Sequence, residues 1–402
     1  MDDSNTTFPN YETYSTDELI QALSSIDAEA FPERAAKITA LIAERKAQAN
    51  SDLSHQENDV VIRTEQVKFH GNTKEFFAIW IVNLLLSIVT LGIYSAWAKV
   101  RTNRYFYSNT ELDGHRFAYL AEPLQILKGR IIAACLFGAY FLLSAVSPAA
   151  AFALIVVMMF LSPMLVILSM RFRMRMTAYR NVRFSFKGRY GEAFMLFVLL
   201  PIASVFTLYL LMPWVLKKID AFLVDESGFG DKVFSSKLST GEYYGVVFAA
   251  ALISIVLFLC VGFVVGLLTG SSTITAEDGF SVFTVAMFGM YLFVYAIVSG
   301  FYNARIRNHI YQNSRLENVA LFNSTVTATD LITLRLTNIL ATVFSLGFAI
   351  PWVKIRTAAF FADATQVKVL EGISEVSAGE QGSASAVSEE AATLFDVDVA
   401  LG

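Results

Sequence analysis

"SAWAKVRTNRYFYSN", residues 95–109, follows some twenty nearly uncharged residues and sets Trp97, Arg101 and Tyr105 four positions apart. In continued helix these three share one stripe, because residues four apart lie on the same face. Near copies of the phrase return as "PWVLKKIDAF" (213–222) and "PWVKIRTAAF" (351–360). A wider search finds five basic residues followed four positions later by an aromatic: Arg101/Tyr105, Arg175/Tyr179, Lys218/Phe222, Arg307/Tyr311 and Arg356/Phe360. Two positions before each basic residue stand Lys99, Arg173, Leu216, Arg305 and Lys354, and three copies place Trp97, Trp214 or Trp352 four positions before it. Recurrence at fixed spacing is the mark of repeated structural units.

The composition says where those units reside. Of 402 residues, 55% are hydrophobic and only 16% charged, with mean hydropathy +0.52. Ordinary soluble domains carry about 25% charged residues, so that class is excluded. Seven apolar segments stand out, roughly 76–97, 130–147, 150–170, 193–214, 246–268, 280–301 and 331–352. Most have the roughly 17–25 residues needed to cross a hydrocarbon layer about 30 Å thick. The fold class expected is an all-α polytopic membrane protein, with about seven apolar helices in repeated units and short juxtamembrane β segments. No cleavage site of small residues follows the first apolar segment, which is expected to stay in the mature chain. Cys135 and Cys260 both lie in apolar segments and suggest neither a disulfide framework nor a thiol metal site.

Three regions are expected. Residues 1–60 form a polar helical module with two patterns, "STDELIQALSSI" and "FPERAAKITALIAERKAQA". Residues 61–370 form the repeated transmembrane domain. Residues 371–402, rich in Ser, Ala, Gly and Glu, have too few bulky apolar groups to offset the entropy of ordering and read as a disordered acidic tail.

Between apolar segments, "VKFHG", "HRFAYL", "VRFSFKG", "DKVFSS", "NVALFN" and "TQVKVL" alternate in character and predict small strands, with Asp113–Gly114 a hairpin signal. Glu75, Glu192, Glu242 and Asp330 stand where apolar segments begin and favour helix N-termini there, with Thr240 and Thr329 as candidate caps.

The block "VKFHGNTKEFFAIWIVNLLLSIVTLGIYSAWAKVRTNRYFYSNTELDGHRFAY", with "EPLQILKGR" and "IRNHIYQN", resembles the YjgN-like family of bacterial inner-membrane proteins over roughly residues 61–368. That resemblance implies a polytopic inner-membrane protein and carries over no catalytic or substrate-binding residues.

Two topologies compete. Seven alternating crossings leave the four Lys/Arg of 215–245 and the three of 303–330 on the side opposite 98–129, against the positive-inside bias. Alternatively, the single segments fold back as re-entrant elements interrupted at Asn83 with Gly92, at Pro201, and at Asn338 with Gly347, which brings every basic cluster to one side. The lengths of the apolar segments favour crossings, with the stretch after Trp97 and the C-terminal tail cytoplasmic.

His55, His70, His115 and His309 have no metal-ligand spacing. Asn83, Ser87 and Thr90 share a helix face, and Arg335 with Asn338 lies one turn apart, so these five are the candidate polar lining of a passage. Trp97, Lys99, Arg101, Arg173, Arg175, Trp214, Lys218, Arg305, Arg307, Trp352, Lys354 and Arg356 are the candidate contacts to lipid headgroups, acidic ones included. Basic charge held against apolar segments argues against nucleic acid as a partner. No cofactor is expected. The functions compatible with the pattern are a transporter or channel-like passage first, then a structural or lipid-interacting scaffold, then an intramembrane enzyme.

Overall fold

The computed structural model describes residues 60–270 and 276–376, with residues 31–43 and positions 19, 22, 23, 25 and 26. The chain divides into two units, 1–60 and 61–402. In the first, helix 32–43 begins at Pro32, and Leu19, Ile38 and Ile42 form its buried cluster. Most of "STDELIQALSSI", His55 and the acidic tail beyond 376 lie outside the described residues.

In the second unit the chain makes five helical hairpins. They are α1 (Thr73–Val89) with α2 (Ser95–Ser108), α3 (Pro123–Val146) with α4 (Pro148–Arg175), α5 (Tyr190–Phe206) with α6 (Met212–Asp225), α7 (Thr240–Gly270) with α8 (Ala276–Gln312), and α9 (Ala328–Phe344) with α10 (Ile350–Asp363). Neighbouring helices pack in chain order, and α10 returns onto α1.

Among the described residues, α3, α4, α7 and α8 alone are long and apolar enough to cross a membrane. The expected seven crossings are therefore corrected. Segments 76–97, 193–214 and 331–352 each reverse direction. Their outgoing arms α1 and α9 have 17 residues, which reach about 25 Å, short of the hydrocarbon thickness. The reversals use one recipe, Thr90-Leu91-Gly92, Thr207-Leu208-Tyr209 and Ser345-Leu346-Gly347, in which the second and third residues take positive φ. Gly92, Tyr209 and Gly347 donate back to Ser87, Ser204 and Thr342 carbonyls at 2.7, 2.7 and 2.8 Å. The Thr90, Thr207 and Ser345 hydroxyls accept from Tyr94, Leu211 and Ala349 N–H at 2.9, 3.3 and 2.8 Å. Backbone turned inside a membrane must find such partners within the chain. Pro201, expected to mark an interruption, instead sits inside α5 after a π-turn at Met195–Leu199.

The β segments do more than decorate the helix ends. Each of the first four hairpins is followed by a strand pair: β3 (Thr110–Leu112) with β4 (His115–Tyr119), β5 (Thr177–Tyr179) with β6 (Val182–Phe186), β7 (Ser227–Phe229) with β8 (Lys232–Ser236), and β9 (Ser314–Leu316) with β10 (Ala320–Ser324). The fifth is followed by β11 (Thr365–Leu370), which pairs with β1 (Val61–Gln66) from the other end of the unit. One residue later β2 (Lys68–Phe69) pairs with β3. The eleven strands form one sheet running from β1 through β11 to β2. Because only Val67 separates its two ends, the strand order closes on itself. The segments joining successive hairpins consequently share one sheet and one end of the helices.

Side chains of one sheet face fill the ring. Cross-strand pairs Phe117/Tyr179, Phe184/Phe229, Phe234/Leu316 and Phe322/Val367 all belong to a single apolar cluster. Ile373 and Val376, just beyond β11, pack onto the same cluster. There Gly372 donates to the Asn318 carbonyl at 3.1 Å, and that close approach leaves no room for a side chain.

Candidate functional site

A cavity of about 520 Å³ opens where the fifth, first and second hairpins meet. From α1 it takes Trp80, Asn83, Leu84 and Ser87, the i, i+3, i+4, i+7 set of a single helix face. The other side of α1 exposes Val82, Leu85, Ile88 and Val89, so the arm is polar inward and greasy outward. From α2 come Lys99, Thr102 and Asn103; from α4, Ser169 and Arg173; from α10, Lys354. No carboxylate lines the cavity. Three cationic side chains, Lys99, Arg173 and Lys354, therefore share the lining of this space.

Asn83 is buried, at 5% exposure, and its amide donates to the Ala98 carbonyl of the return arm at 3.4 Å. Its Oδ1 finds no partner. The carbonyl of Ala98 fixes that orientation, since a flipped amide would set two acceptors face to face.

The structure distributes the expected residues unevenly. Asn83 and Ser87 line the cavity together with Lys99, Arg173 and Lys354, three residues expected to meet lipid headgroups. Thr90 belongs to the reversal of the first hairpin. Asn338 braces the fifth, donating to Thr357 Oγ1 at 3.1 Å and accepting from Arg356 at 3.3 Å. Arg356 also donates to Thr337 Oγ1 at 2.6 Å and lies 5.0 Å over the Trp352 ring. Arg335 is partly buried on α9, within electrostatic reach of Tyr295. Arg307 sits 4.3 Å from the Tyr311 ring and 4.6 Å from the Phe361 ring and donates to Thr365 at 3.0 Å. Lys218 lies 5.7 Å over Trp214, and Trp97 stacks on Tyr94 at 6.1 Å. Arg101 and Arg305 are exposed, while Arg175 is partly buried as the last residue of α4.

The basic-aromatic spacing is structurally equivalent only in part. Arg101, Lys218 and Arg356 stand seven residues before the helix ends Ser108, Asp225 and Asp363, whereas Arg307 stands five before Gln312 and Arg175 is itself an end. A different equivalence spans long and short hairpins: Arg104, Arg171 and Asn308 donate to the Ala121, Gly188 and Val326 carbonyls at 3.0, 2.8 and 2.8 Å, each two residues beyond the second strand. Trp80, Thr102, Asn103 and Ser169 were not singled out by sequence. The signal for Trp80 was its place three residues before Asn83, on the face that also bears Ser87.

The three described histidines hold local structure. His70 pairs with Glu111 at 3.0 Å, His115 Nδ1 lies 2.8 Å from the Asp113 carbonyl, and His309 Nε2 accepts from Ser239 N–H at 2.9 Å. Asp113 also bridges Arg63 of β1 and Arg180 of the β5–β6 turn.

A family described as "Bacterial protein of unknown function (DUF898)" matches residues 64–394. The chain belongs to this family. The DUF898 match takes in all five helical hairpins and the cavity, and leaves out the N-terminal unit. Inner membrane protein YjgN of Escherichia coli (strain K12) is 34% identical over 155 residues, 36% of this chain and 38% of that protein. Inner membrane protein YjgN of Salmonella typhimurium (strain LT2) is 24% identical over 345 residues, 75% of this chain and 87% of that protein. The match to the Escherichia coli relative thus spans less than half of either chain. No solved structure matches.

Proposed function

We propose that the chain is a multi-pass protein of the bacterial inner membrane that passes an anionic solute by way of the cavity between its first, second and fifth hairpins. The observation carrying this reading is the convergence of Lys99, Arg173 and Lys354 from three repeats on one polar space, behind helices whose outer faces are apolar. The names of the two relatives support the membrane. The collection of basic inter-helix segments at the sheet end supports a cytoplasmic sheet and C-terminal tail.

The apolar, aromatic-rich interior of the strand ring favours a second reading, a scaffold that holds membrane lipids, acidic ones included, between its short hairpins. Purified full-length protein in liposomes loaded with inorganic phosphate, lactate and sn-glycerol 3-phosphate separates the two. A passage releases at least one of these anions faster than protein-free liposomes do, and Lys99→Gln with Lys354→Gln slows release severalfold. Absence of release, with tight co-flotation on vesicles rich in acidic lipid, selects the scaffold.

A further inference from the structure

We propose that Arg335 of α9 and Tyr295 of α8 hold the phosphate of an acidic phospholipid from the leaflet on the sheet side. The site is separate from the cavity, whose lining takes no residue from α8 or α9, and it does not rest on the passage.

Arg335 was expected to line a passage; the fold places it where α8 and α9 meet. Gly300 of α8 and Ile332 of α9 pack so closely that a Cβ on the glycine would come within 2.7 Å of Ile332 Cγ1. The two helices run in opposite directions through the sheet end. Tyr295 lies five residues back from that contact along α8, and Arg335 three residues on along α9, which brings them to one level within electrostatic reach. Apolar surface begins at this level. On α8 the last exposed large apolar side chain is Tyr295, at 52% exposure, and on α9 the first is Leu340. Toward the sheet the same helices carry Arg305, Arg307 and Asp330 instead. Such a boundary is the place of a lipid phosphate, with its acyl chains along the apolar side.

The Arg335 charge is unmatched within the chain. Among the described residues it has no carboxylate partner and no hydrogen bond, and none of its nitrogens is both unbonded and sealed from the surface. The guanidinium is therefore open to the surrounding phase, whereas Arg307 is enclosed by Tyr311, Phe361 and Thr365. A cation at the edge of hydrocarbon needs an anion, and a planar guanidinium offers a phosphate two parallel N–H donors. Tyr295, stacked on Tyr291 at 6.1 Å, brings a hydroxyl from the facing helix. A headgroup of net negative charge fits better than a zwitterionic one, whose ammonium would be repelled by the same guanidinium.

The repeat sets a second arginine alike. Arg130 and Arg335 each stand nine residues beyond the Ala121 or Val326 carbonyl that accepts from the preceding helix. Arg130 also meets that preceding helix, donating to the neutral Ser95 Oγ of α2, and a run of exposed apolar side chains begins beside it at Ile131. The corresponding position beyond Gly188 is Phe197, which offers no charge.

Full-length protein in detergent, given equal amounts of phosphatidylglycerol and phosphatidylethanolamine, is read by native mass spectrometry for the lipid retained. Phosphatidylglycerol should be retained in preference, and Arg335→Gln should cut that retention about fivefold, the effect of one cation at an acidic lipid surface. Arg116→Gln removes the same charge from an exposed site on the strand ring and should leave retention unchanged. A photoactivatable phosphatidylglycerol tests the wild-type protein without any variant, and should label the segments around Tyr295 and Arg335. Absence of the preference, retention unaffected by Arg335→Gln, or labelling that misses both segments overturns the site. Calorimetric binding of inorganic phosphate that Arg335→Gln abolishes would assign a free anion and overturn the lipid. None of these readouts involves transport, so a failure to release anions from liposomes removes the passage and leaves the lipid site standing.

Discussion

The Tyr243 hydroxyl donates to Asp220 Oδ2 at 2.6 Å, across the junction between α6 of the third hairpin and α7 of the fourth. Tyr243 is fully buried and the His309 ring meets it edge to face at 6.0 Å. The bond therefore ties a reversing hairpin to a spanning helix, and burial raises the Asp220 carboxyl above its ordinary pKa although the tyrosine opposes the rise.

Tyr243→Phe keeps the ring and removes the donor. It should lower stability by about 1–3 kcal/mol, the cost of an unsatisfied buried polar group, read as an earlier unfolding transition in detergent. Asp220→Asn retains an acceptor and should be milder. The sign of the pH effect follows from linkage: a carboxyl raised in the folded state gives stability that is full below the unfolded value, near 3.8, and lost as pH rises through the folded one. Asp220→Asn should flatten that decline, and an unchanged pH profile would remove Asp220 as its origin.

The three reversals make a second prediction. At φ +90°, Gly92 and Gly347 hold conformations that a Cβ resists, so Gly92→Ala and Gly347→Ala should each cost about 1–2 kcal/mol. Thr90→Ala should cost about 1 kcal/mol by leaving the Tyr94 N–H, at the start of the return arm, without its acceptor. Unfolding temperatures indistinguishable from wild type in all three variants would contradict this account of the turns.

A third prediction concerns sidedness. Single cysteines at Arg116, Arg183, Asp231 and Glu317, after replacement of Cys135 and Cys260, should react with an impermeant reagent from one and the same side. A cysteine at Val146, beside the tip of the second hairpin, should react from the other. Labelling of 231 and 317 from the side opposite 116 and 183 would restore alternating crossings.

Longer, patterned pieces were legible in the sequence; the reversals were read only as the less favoured of two topologies, with Gly92 and Gly347 among the interruptions, and most of the three-residue strands were not read. "HRFAYL", "VRFSFKG", "DKVFSS" and "TQVKVL" contain β4, β6, β8 and β11 because five or six residues suffice to show alternation. Their partners β3, β5, β7 and β9 have three residues each and take strand form from the neighbour they pair with. A hydropathy pattern has no direction, so an outgoing arm and its return read as one crossing. The overlooked signal was a Ser/Thr-Leu pair at 90, 207 and 345 with Trp97, Trp214 and Trp352 seven residues after its first member. Glu75, Glu192, Glu242 and Asp330 do lie in first turns, but the caps that accept are Asn72 and Thr327 rather than Thr329. At the site, Asn83 and Ser87 were readable as one face of a helix. The meeting of Lys99, Arg173 and Lys354 was not, since it depends on α10 returning onto α1.

Joining β1 to β11 orders the protein's biosynthesis. A ribosome delivers the strand that begins the ring some three hundred residues before the one that completes it. Each helical hairpin can enter the bilayer as it emerges, but β1 and β10 keep open edges until Thr365–Leu370 has been made. Open strand edges invite pairing with another chain. A nascent chain stalled before β11 is therefore the form most exposed to exchanging strands with a second copy.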